Sequence, residues 1–232
     1  MAKRDLIGII KDKLKKFPGL YYLIYNWLSL VVFVGVSHKV LFKLTPDDRI
    51  IVNIGSGPQR LSDKIINIDN VMCRNVDVVA DVHSLPFKDN SIGGVVSTAM
   101  LEHVENPRCV IDEIYRVLYP GGHVYINVPF VYGFHSSPND YYRWTIEGAK
   151  QLFRDYEEVD TGVRSGPTSA LLVVLQEWLS LLFSFQNKYL YQILWILFLI
   201  ILCPFKFVDH YLIGHPESHR ISANIYYIGK KP

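Results

Sequence analysis

The feature that most constrains this sequence is a short apolar run that leads directly into a glycine turn. Residues 49–54 are Arg-Ile-Ile-Val-Asn-Ile, and Gly55-Ser56-Gly57 follow without a break. Apolar runs of this length that are rich in β-branched residues are typical of buried parallel strands. Glycines after such a strand permit a tight turn and let a ligand approach the backbone closely. The sequence therefore predicts a ligand-binding edge at the start of an α/β domain.

More short apolar runs and an amphipathic helix follow the glycine turn. Strands that alternate with crossovers predict a parallel sheet with helices on both faces. We expect an α/β fold: a Rossmann-like parallel sheet with a terminal antiparallel strand, flanked by an N-terminal apolar helix and a C-terminal apolar helical insertion. The further strands are predicted at 64–68, 77–80, 94–97, 123–128 and 223–229, and the helix at 106–118, ended by Gly121-Gly122.

Length, charge and cysteine content bound the organisation. The 232 residues allow one α/β domain with a modest appendage. We expect a basic and apolar helical leader over residues 1–45 and an α/β domain over residues 46–232 that includes an apolar helical insertion at 165–208. The formal net charge is +2, which does not suggest a nucleic-acid partner. The three cysteines are far apart and form no CxxC pair, which is typical of a reducing compartment.

Two acids complete a predicted nucleoside pocket. In an open α/β sheet, ligands bind beyond the carboxyl ends of the strands. Asp69 follows the second predicted strand, where it can accept hydrogen bonds from ribose hydroxyls, and Asp81 follows the third, where it can accept one from the amine of an adenine. A dinucleotide is disfavoured because Arg60 replaces the third glycine of its fingerprint. In addition, only eleven residues separate Gly57 from Asp69, whereas the fingerprint needs about 20.

Five ordered blocks stand out within residues 51–130, namely Ile51–Gly57, Ile68-Asp69, Ala80–Ser91, Leu101–Pro107 and Glu113–Gly122. Together they resemble class I S-adenosylmethionine-dependent methyltransferases of the type 11 group, of the kind associated with glycan and glycolipid assembly. The resemblance implies S-adenosyl-L-methionine as the cofactor. This chain departs from the family pattern at Asn53, where an acid is common, and at Ile92-Gly93, where Phe-Asp is usual.

Position by position, the resemblance implies a set of cofactor-binding residues. Gly55 and Gly57 would lie against the methionine part of the cofactor. Asp69 would hold the ribose, and Asp81 with the backbone of Val82 would hold the adenine. The complete implied set is Asn53, Gly55, Ser56, Gly57, Asp69, Asp81, Val82 and Thr98.

Acceptor-binding and catalytic residues are expected in the loops after the fourth and fifth strands. Methyl transfer to a hydroxyl needs an aligned acceptor and a base. His103 can instead cap or pack a helix, and Asp140 can pair with Arg143 simply to hold the loop. No metal is expected, because the spacing of His210, His215 and His219 is a weak signal. The candidates are His135 and His103 as bases, with Asp140, Tyr141 and Arg143.

Two long stretches without charged residues predict contact with a membrane surface. These are Phe17–Ser37, which follows a lysine-rich start, and Tyr189–Phe205. A single crossing by either stretch would separate parts of one cytosolic domain, so we expect interfacial or re-entrant helices on the cytoplasmic face. A buried helical cap or a homodimer interface is the alternative.

The function expected from the sequence is S-adenosylmethionine-dependent methyl transfer, with O-methylation of a membrane-presented acceptor such as a lipid-linked sugar or a glycolipid. Three alternatives remain open: a soluble small-molecule methyltransferase, a non-catalytic membrane-anchored nucleoside-binding module, and a nucleotide-dependent oxidoreductase or epimerase.

Overall fold

The structure is a computed structural model that describes residues 27–46, 48–135 and 138–232. The chain divides into two compact units. The sheet unit comprises Gly35–Arg164 and Asn224–Pro232, and the hairpin unit comprises Ser165–Ala223 with the described part of Met1–Val34. The domain boundaries expected from the sequence, at 45/46 and at 165–208, stay a prediction.

A seven-stranded sheet has the strand order β3-β2-β1-β4-β5-β7-β6. Its first five strands pair in parallel, and β7 runs antiparallel to β5, which confirms the expected fold class. The strands are β1 (Ile51–Ile54), β2 (Ile65–Asp69), β3 (Val78–Val79), β4 (Ile92–Thr98), β5 (Leu118–Pro129), β6 (Glu157–Ser165) and β7 (Asn224–Lys230).

The register places the ends of three strands at one edge of the sheet. Ile54, the last residue of β1, pairs with Ile68 of β2 on one side and with Ser97 of β4 on the other. The residues that follow these strands therefore leave the sheet at the same level. As a result, the glycine turn, Asp69 and the loop after Thr98 share the carboxyl edge.

The connection between β1 and β2 contains no helix in residues 55–64, only turns. Eleven residues between Gly57 and Asp69 are too few for a normal crossover helix, and the very short helix that the sequence would still allow is also absent from residues 55–64. The backbone N–H of Ser56 donates to the carbonyl of Ile68 at 3.0 Å, so the turn is tied directly to the neighbouring strand.

The helix before β5 shows how a local pattern places an element. In α2 (Pro107–Val117), Asn106 caps the N-terminus by accepting from Cys109 N, and Pro107 occupies the first turn. Its buried stripe is Val110, Ile111, Ile114 and Val117, and each such side chain contributes about 1.5–3 kcal/mol through burial. The predicted end at Gly121-Gly122 was wrong, because Leu118 already has extended backbone angles and begins β5.

Strand β6 was not predicted from the sequence. Its first four residues, Glu157, Glu158, Val159 and Asp160, are exposed, and the strand lies at the end of the sheet. An edge strand with a solvated polar start lacks the apolar run or alternation by which buried strands are recognised.

The hairpin unit is built on two apolar helices joined by a short turn. The first is α4 (Pro167–Phe183) and the second is α5 (Lys188–Leu202), with Asn187 capping α5 by accepting from Tyr189 N and Leu190 N. A 3-10 segment, Cys203–Val208, and α6 (Asp209–Leu212) continue from α5. The helical run Lys188–Leu212 is long and apolar enough, by length and composition, to cross a membrane. Two shorter helices belong to the sheet unit, α1 (Leu41–Leu44) and α3 (Ile146–Leu152).

The apolar leader differs from its prediction in the part that the structure describes. Trp27 and Leu28 are helical, but residues 29–37 are not, so a helix over the whole of Phe17–Ser37 is wrong. Gly35 instead donates its N–H to the carbonyl of Arg164 at 3.1 Å. The rest of the predicted leader helix, and the lysine-rich start, lie outside the described residues.

Candidate cofactor and acceptor site

The glycine turn after β1 requires glycine at its first position for two reasons. Gly55 has φ +64°, in the left-handed region, and a Cβ there would overlap Cγ of Met100. Gly57 also has a positive φ of +52°, but no atom lies within 4 Å of the position of its missing Cβ. The turn therefore packs against Met100 at Gly55 and leaves open space above Gly57, as a ligand approaching the backbone would require.

Asp69 ties this turn to the end of β2. Its Oδ2 accepts the N–H of Gly57 at 2.8 Å, and its Oδ1 accepts the N–H of Val71 at 3.0 Å. Each carboxylate oxygen has more than one lone pair, so the side chain can still accept hydrogen bonds from two hydroxyls. The placement fits the predicted ribose contact, which stays a prediction.

Asn53 lies inside the sheet rather than at its edge. It is buried, and its Nδ2 donates to Oδ1 of Asn67 at 3.1 Å. The amide of Asn67 in turn donates to the carbonyls of Gln59 and Asn75 at 2.9 and 2.8 Å. These contacts support a role for Asn53 in holding the turns around the pocket, whereas the predicted direct contact with the cofactor has no counterpart among them.

Asp81 follows β3 and is largely exposed. Its Oδ1 accepts from the backbone N–H of His83 at 2.9 Å and contacts His83 Nδ1 at 2.7 Å. These two hydrogen bonds, the backbone one first, lower the pKa of Asp81 below its ordinary value. Val82 beside it is buried in the core of the sheet unit. Asp81 Oδ1 is thus used within its own loop, and Oδ2 is the oxygen available to an adenine amine.

Two smaller polar residues complete the predicted cofactor set. The hydroxyl of Ser56 donates to the carbonyl of Gly57 at 3.2 Å. Thr98 is the last residue of β4, and Ala99 after it has φ +50°, so the chain turns sharply there. Both residues lie at the carboxyl edge with the glycine turn and Asp69.

Beyond Thr98, a 3-10 turn carries a buried acid next to a histidine. In the turn Leu101–His103, Glu102 has none of its surface exposed. Neither of its carboxylate oxygens accepts a hydrogen bond from any residue that the structure describes. The closest polar contacts are His135 Nε2 at 3.5 Å and His103 Nε2 at 3.8 Å, both to Oε1. Glu102 lies in the loop after the fourth strand, where acceptor-binding residues are expected, but it was not among the predicted catalytic residues, although an acid directly before a candidate base was a usable signal.

His135 is brought to the same place by the loop after β5. Its ring packs edge-on against His103, with centroids 5.1 Å apart, and against Tyr132 at 4.9 Å. The adjacent Glu102 carboxylate raises the pKa of His135 above its ordinary value, although burial opposes the shift. The structure therefore brings both predicted bases together around one buried carboxylate.

Asp140 and Arg143 form a bidentate ion pair, which was the structural alternative for these residues. Arg143 Nη1 and Nη2 lie 2.6 and 2.7 Å from the two Asp140 oxygens, and Asp140 also accepts the N–H of His135 at 2.8 Å. The Arg143 pair, followed by the His135 N–H, lowers the pKa of Asp140 well below its ordinary range. Arg143 further donates to the carbonyls of Tyr132, Gly133 and Tyr142. These contacts make the pair a brace that positions His135.

Tyr141 is directed away from the histidines. Its hydroxyl donates to Glu105 at 3.0 Å and accepts from Asn139 Nδ2 at 2.8 Å. Its backbone N–H donates to the carbonyl of Glu102 at 2.7 Å, so the main chain of Tyr141, rather than its hydroxyl, connects to the cluster. A catalytic role for the hydroxyl stays a prediction.

Comparison with known proteins places this site in a family context. Residues 60–126 match the family model for a methyltransferase domain of the type 11 group. An uncharacterised 37.1 kDa protein of transposon TN4556 from Streptomyces fradiae is 30% identical over 128 residues, which are 55% of this chain and 35% of that protein. The chain thus spans about a third of the length of the curated relative that it matches.

Solved structures share the fold at low sequence identity. A methyltransferase from Thermotoga maritima superposes with a TM-score of 0.52 at 17% identity, covering 96% of this chain and 99% of that one. A phosphoethanolamine N-methyltransferase from Haemonchus contortus, in complex with S-adenosyl-L-methionine, gives a TM-score of 0.51 at 16% identity, covering 96% of this chain and 60% of that one. The [4+2]-cyclase SpnF gives a TM-score of 0.52 at 16% identity, covering 84% of this chain and 79% of that one.

The family match and the fold agree with the site. Residues 60–126 match a methyltransferase domain, and the sheet has the fold of solved S-adenosylmethionine-dependent methyltransferases. The glycine turn and Asp69 lie where a Rossmann-like sheet binds a nucleoside. Fold alone does not determine the reaction, since a cyclase shares it, so the activity must be argued from the site.

Proposed function

We propose that this protein transfers the methyl group of S-adenosylmethionine to a hydroxyl of a membrane-presented acceptor, such as a lipid-linked sugar or a glycolipid, on the cytoplasmic face of a membrane. The observation that carries the proposal is the group formed by the buried carboxylate of Glu102 and two partly buried histidines, His103 and His135. The Nε2 atoms of the histidines lie within 3.8 Å of one Glu102 oxygen. The group follows β4 and β5, at the sheet edge where the glycine turn and Asp69 form the cofactor pocket.

The residues around the pocket fit the cofactor. The open backbone at Gly57 suits the methionine part, and the Asp69 carboxylate suits the ribose hydroxyls. When bound, the cofactor supplies a methyl group on a positively charged sulfur. The remaining task of the protein is to align an acceptor oxygen in line with the carbon–sulfur bond and to remove its proton.

The proposed transfer is a single displacement. The acceptor oxygen forms a bond to the methyl carbon while the carbon–sulfur bond breaks. The electron pair of the broken bond stays on sulfur, which gives S-adenosylhomocysteine. The hydroxyl proton is lost at the Glu102–His103–His135 group. This group offers three basic atoms and no competing donor at Glu102 among the described residues. The Asp140–Arg143 pair holds the loop that carries His135.

Support for a membrane-bound acceptor comes from the hairpin unit, which is packed with its polar side chains inside. Six polar residues of the helices and their turn are buried, namely Thr168, Ser169, Gln176, Ser180, Ser184 and Gln192. Glu177, the only acid between Pro167 and Phe205, accepts from Tyr191 OH at 2.6 Å and Trp195 Nε1 at 2.9 Å. Large apolar side chains are exposed, among them Leu171, Val174, Trp178, Leu181, Leu182, Phe183, Phe185, Ile193, Leu197, Ile200 and Ile201.

This arrangement is the reverse of a helical pair in water. Contiguous apolar surface on a monomer marks an interaction site, and satisfied internal polar groups are what a lipid environment demands. We expect the hairpin to enter one leaflet. Within the run Lys188–Leu212, Lys206 is buried and donates to the carbonyls of Trp27 and Ser29, and buried Asp209 accepts from Thr168 and Ser169. Buried charged residues in the last third of this run disfavour a simple crossing.

One experiment tests the proposed reaction. The full chain is incubated with S-adenosylmethionine carrying a labelled methyl group, together with either a membrane lipid extract or the soluble extract of the same cells. We expect label in the lipid fraction that withstands mild alkali, because a methyl ether resists hydrolysis whereas a methyl ester does not. Boiled protein and a reaction with added S-adenosylhomocysteine are the controls.

The other outcomes separate the alternatives. Label confined to a soluble product would support a soluble small-molecule methyltransferase and contradict the membrane-bound acceptor. Binding of S-adenosylhomocysteine without transfer to either extract would favour a non-catalytic module and overturn the proposed activity. Binding of NAD instead would return the chain to the oxidoreductase class.

A further inference from the structure

Three side chains with metal-binding atoms converge beside the proposed cofactor pocket. The carboxylate of Glu102 and the imidazoles of His103 and His135 each present one atom, and these atoms lie within 4.8 Å of one another. Glu102 is fully buried and both its oxygens lack a hydrogen bond from the described residues. A buried carboxylate left in this way is costly unless a positively charged partner is supplied.

The hydrogen bonds of the two histidines show which of their atoms face the acid. His103 Nδ1 lies 2.6 Å from the carbonyl of Asn139, and His135 Nδ1 lies 3.1 Å from the carbonyl of Gly133. A carbonyl only accepts, so each Nδ1 carries the hydrogen and each Nε2 of a neutral ring presents a lone pair. Arg143 Nη2 also approaches His135 Nδ1, but at the longer distance of 3.5 Å. Three hydrogen-bond acceptors, Glu102 Oε1 and the Nε2 atoms of His103 and His135, therefore face one another.

We propose that Glu102, His103 and His135 bind one divalent transition-metal ion. Nitrogen and oxygen ligands at about 2.0–2.2 Å in a tetrahedral arrangement lie about 3.3–3.5 Å apart. The observed separations from Glu102 Oε1 are 3.5 Å to His135 and 3.8 Å to His103, and the three atoms all lie within 4.8 Å of one another. The two pairs that include Glu102 need a contraction of a few tenths of an ångström, and the pair of histidine nitrogens one of up to about 1.5 Å.

The ligand set selects the class of metal. Two imidazoles and one carboxylate suit Zn²⁺, Co²⁺, Mn²⁺ or Fe²⁺, whereas Mg²⁺ and Ca²⁺ prefer oxygen ligands. Three protein ligands leave a coordination position open, as in catalytic zinc sites. Backbone carbonyls that accept from the opposite ring nitrogens are also the usual outer contacts of metal-bound histidines. Asp140 adds a further outer contact, with Oδ2 lying 3.6 Å from His135 Nδ1.

This inference rests on the proposed function and assigns a task to the ion there. Glu102, His103 and His135 would hold the ion, and the ion would supply positive charge that lowers the pKa of an acceptor hydroxyl at the open position. Because the basic atoms of the three residues would then be metal ligands, the proton would pass to water instead of to these residues. The alternative to a metal ion is a proton shared between Glu102 and a histidine nitrogen. In that case His135 would act only as a general base.

The test measures metal binding directly on the full chain, purified without a histidine tag. The chain is stripped with chelator, dialysed against Zn²⁺ or Co²⁺ and analysed by elemental mass spectrometry. We expect about one ion per chain and, with Co²⁺, visible absorption bands of a four- or five-coordinate site. Mg²⁺ at the same concentration should not displace the ion.

Variants assign the ligands. Glu102→Gln and the double variant His103→Asn/His135→Asn should reduce the bound metal to near zero, while S-adenosylhomocysteine still binds and shows that the fold is intact. His219→Asn, an exposed histidine whose Nδ1 contacts the carbonyl of Pro216, is the matched control and should retain the ion. Asp140→Asn should weaken the site about 10-fold to 100-fold, as loss of an outer contact does.

Failure of the metal inference is distinguishable from failure of the proposed function. Absence of a bound ion, or an ion retained by the double variant, would overturn the metal site. Methyl transfer at full rate in chelator would also overturn it while leaving the proposed function standing. An ion held by these ligands in a protein that transfers no methyl group would support the site and contradict the function.

Discussion

The backbone N–H of Gly57 donates to the carboxylate of Asp69 over 2.8 Å, so the turn after the first strand and the acid after the second form one structure. Replacing Asp69 with Ala removes this acceptor and the proposed partner of the ribose hydroxyls. We expect a loss of about 2–4 kcal/mol in S-adenosylhomocysteine binding, at about 1.5–3 per charge-assisted hydrogen bond. Calorimetry should therefore give a dissociation constant that is roughly 30-fold to 900-fold larger.

Asp48→Ala, at an exposed position of the sheet unit, is the matched control and should bind the ligand normally. Asp69→Asn retains one acceptor oxygen and should fall between Asp69→Ala and the unaltered protein. If Asp69→Ala binds S-adenosylhomocysteine as tightly as the unaltered protein does, the pocket has been assigned to the wrong edge of the sheet.

A second prediction compares the two glycines of the turn. Both have positive φ, so an Ala at either position costs about 1–2 kcal/mol of stability. At Gly55 the added methyl group also overlaps Met100, which should cost a further 1–3 kcal/mol or so, whereas the space at Gly57 is open. Denaturant unfolding should therefore show that Gly55→Ala is clearly less stable than Gly57→Ala.

Met100→Ala provides a check on the cause of that difference. Combined with Gly55→Ala, it should recover part of the lost stability, which a double-mutant cycle reports as a favourable coupling energy. Additive effects would mean that the backbone alone accounts for the requirement for glycine.

A third prediction concerns acid sensitivity of the brace around His135. The pKa of Asp140 is held well below its ordinary value by Arg143 and by the N–H of His135. Because the pKa of Asp140 is lower in the folded protein than in the unfolded chain, the ion pair makes its full contribution to stability at pH values above the ordinary carboxyl pKa of about 4. That contribution is lost as the pH falls from there toward the lower pKa of the folded protein. Asp140→Asn should thus lower the free energy of unfolding at pH 7 by about 1.5–3 kcal/mol.

The measurement is a series of denaturant titrations of both proteins from pH 7 down to about pH 3. The gap between the unaltered protein and Asp140→Asn should be constant above about pH 5 and should narrow below about pH 4. A gap that stays constant throughout would show that the charge of Asp140 contributes nothing to the brace.

A fourth prediction follows from the buried carboxylate of Glu102. In chelator-treated protein, the amide of Glu102→Gln can donate a hydrogen to Nε2 of His135, which lies 3.5 Å from Oε1 of Glu102. We expect an increase in stability of about 1 kcal/mol, or roughly 2–4 °C in melting temperature, together with a loss of methyl transfer. Glu147→Gln, at an exposed helix position, should change neither. A lower melting temperature in Glu102→Gln would show that a histidine proton already satisfies the acid.

The parts of the site that could be predicted are those formed by residues close together in the sequence. The glycine turn and Asp69 follow directly after apolar runs, and parallel strands bring such positions to one edge. The group around Glu102 could not be derived in this way, because His135 lies 33 residues further along the chain. Its approach depends on the loop braced by Asp140 and Arg143. Nor could composition show that Gln176 and Gln192 face inward in the hairpin, since both faces of those helices are rich in apolar residues.

The two tryptophans of the apolar helices differ in their surroundings. Trp195 donates its Nε1 hydrogen to Glu177 within the hairpin unit, whereas Trp178 is exposed. Trp178 is therefore the better reporter of insertion, and its fluorescence should be quenched by vesicles that contain brominated lipid. Trp178→Phe should remove most of that quenching.

The last prediction is that exposed apolar side chains of the hairpin hold the protein on lipid. Leu181 has 64% of its surface exposed, so Leu181→Asp should fold normally and leave the melting temperature unchanged. Burial of one leucine in lipid contributes about 1.5–3 kcal/mol, so vesicle partitioning should fall roughly 10-fold to 150-fold. Met72→Asp, at a 70% exposed position of the sheet unit, is the matched control and should float with vesicles as before. Equal flotation of both variants, or a stable dimer that ignores lipid, would contradict membrane docking through the hairpin, since only a lipid contact makes Leu181 and Met72 behave differently in this assay.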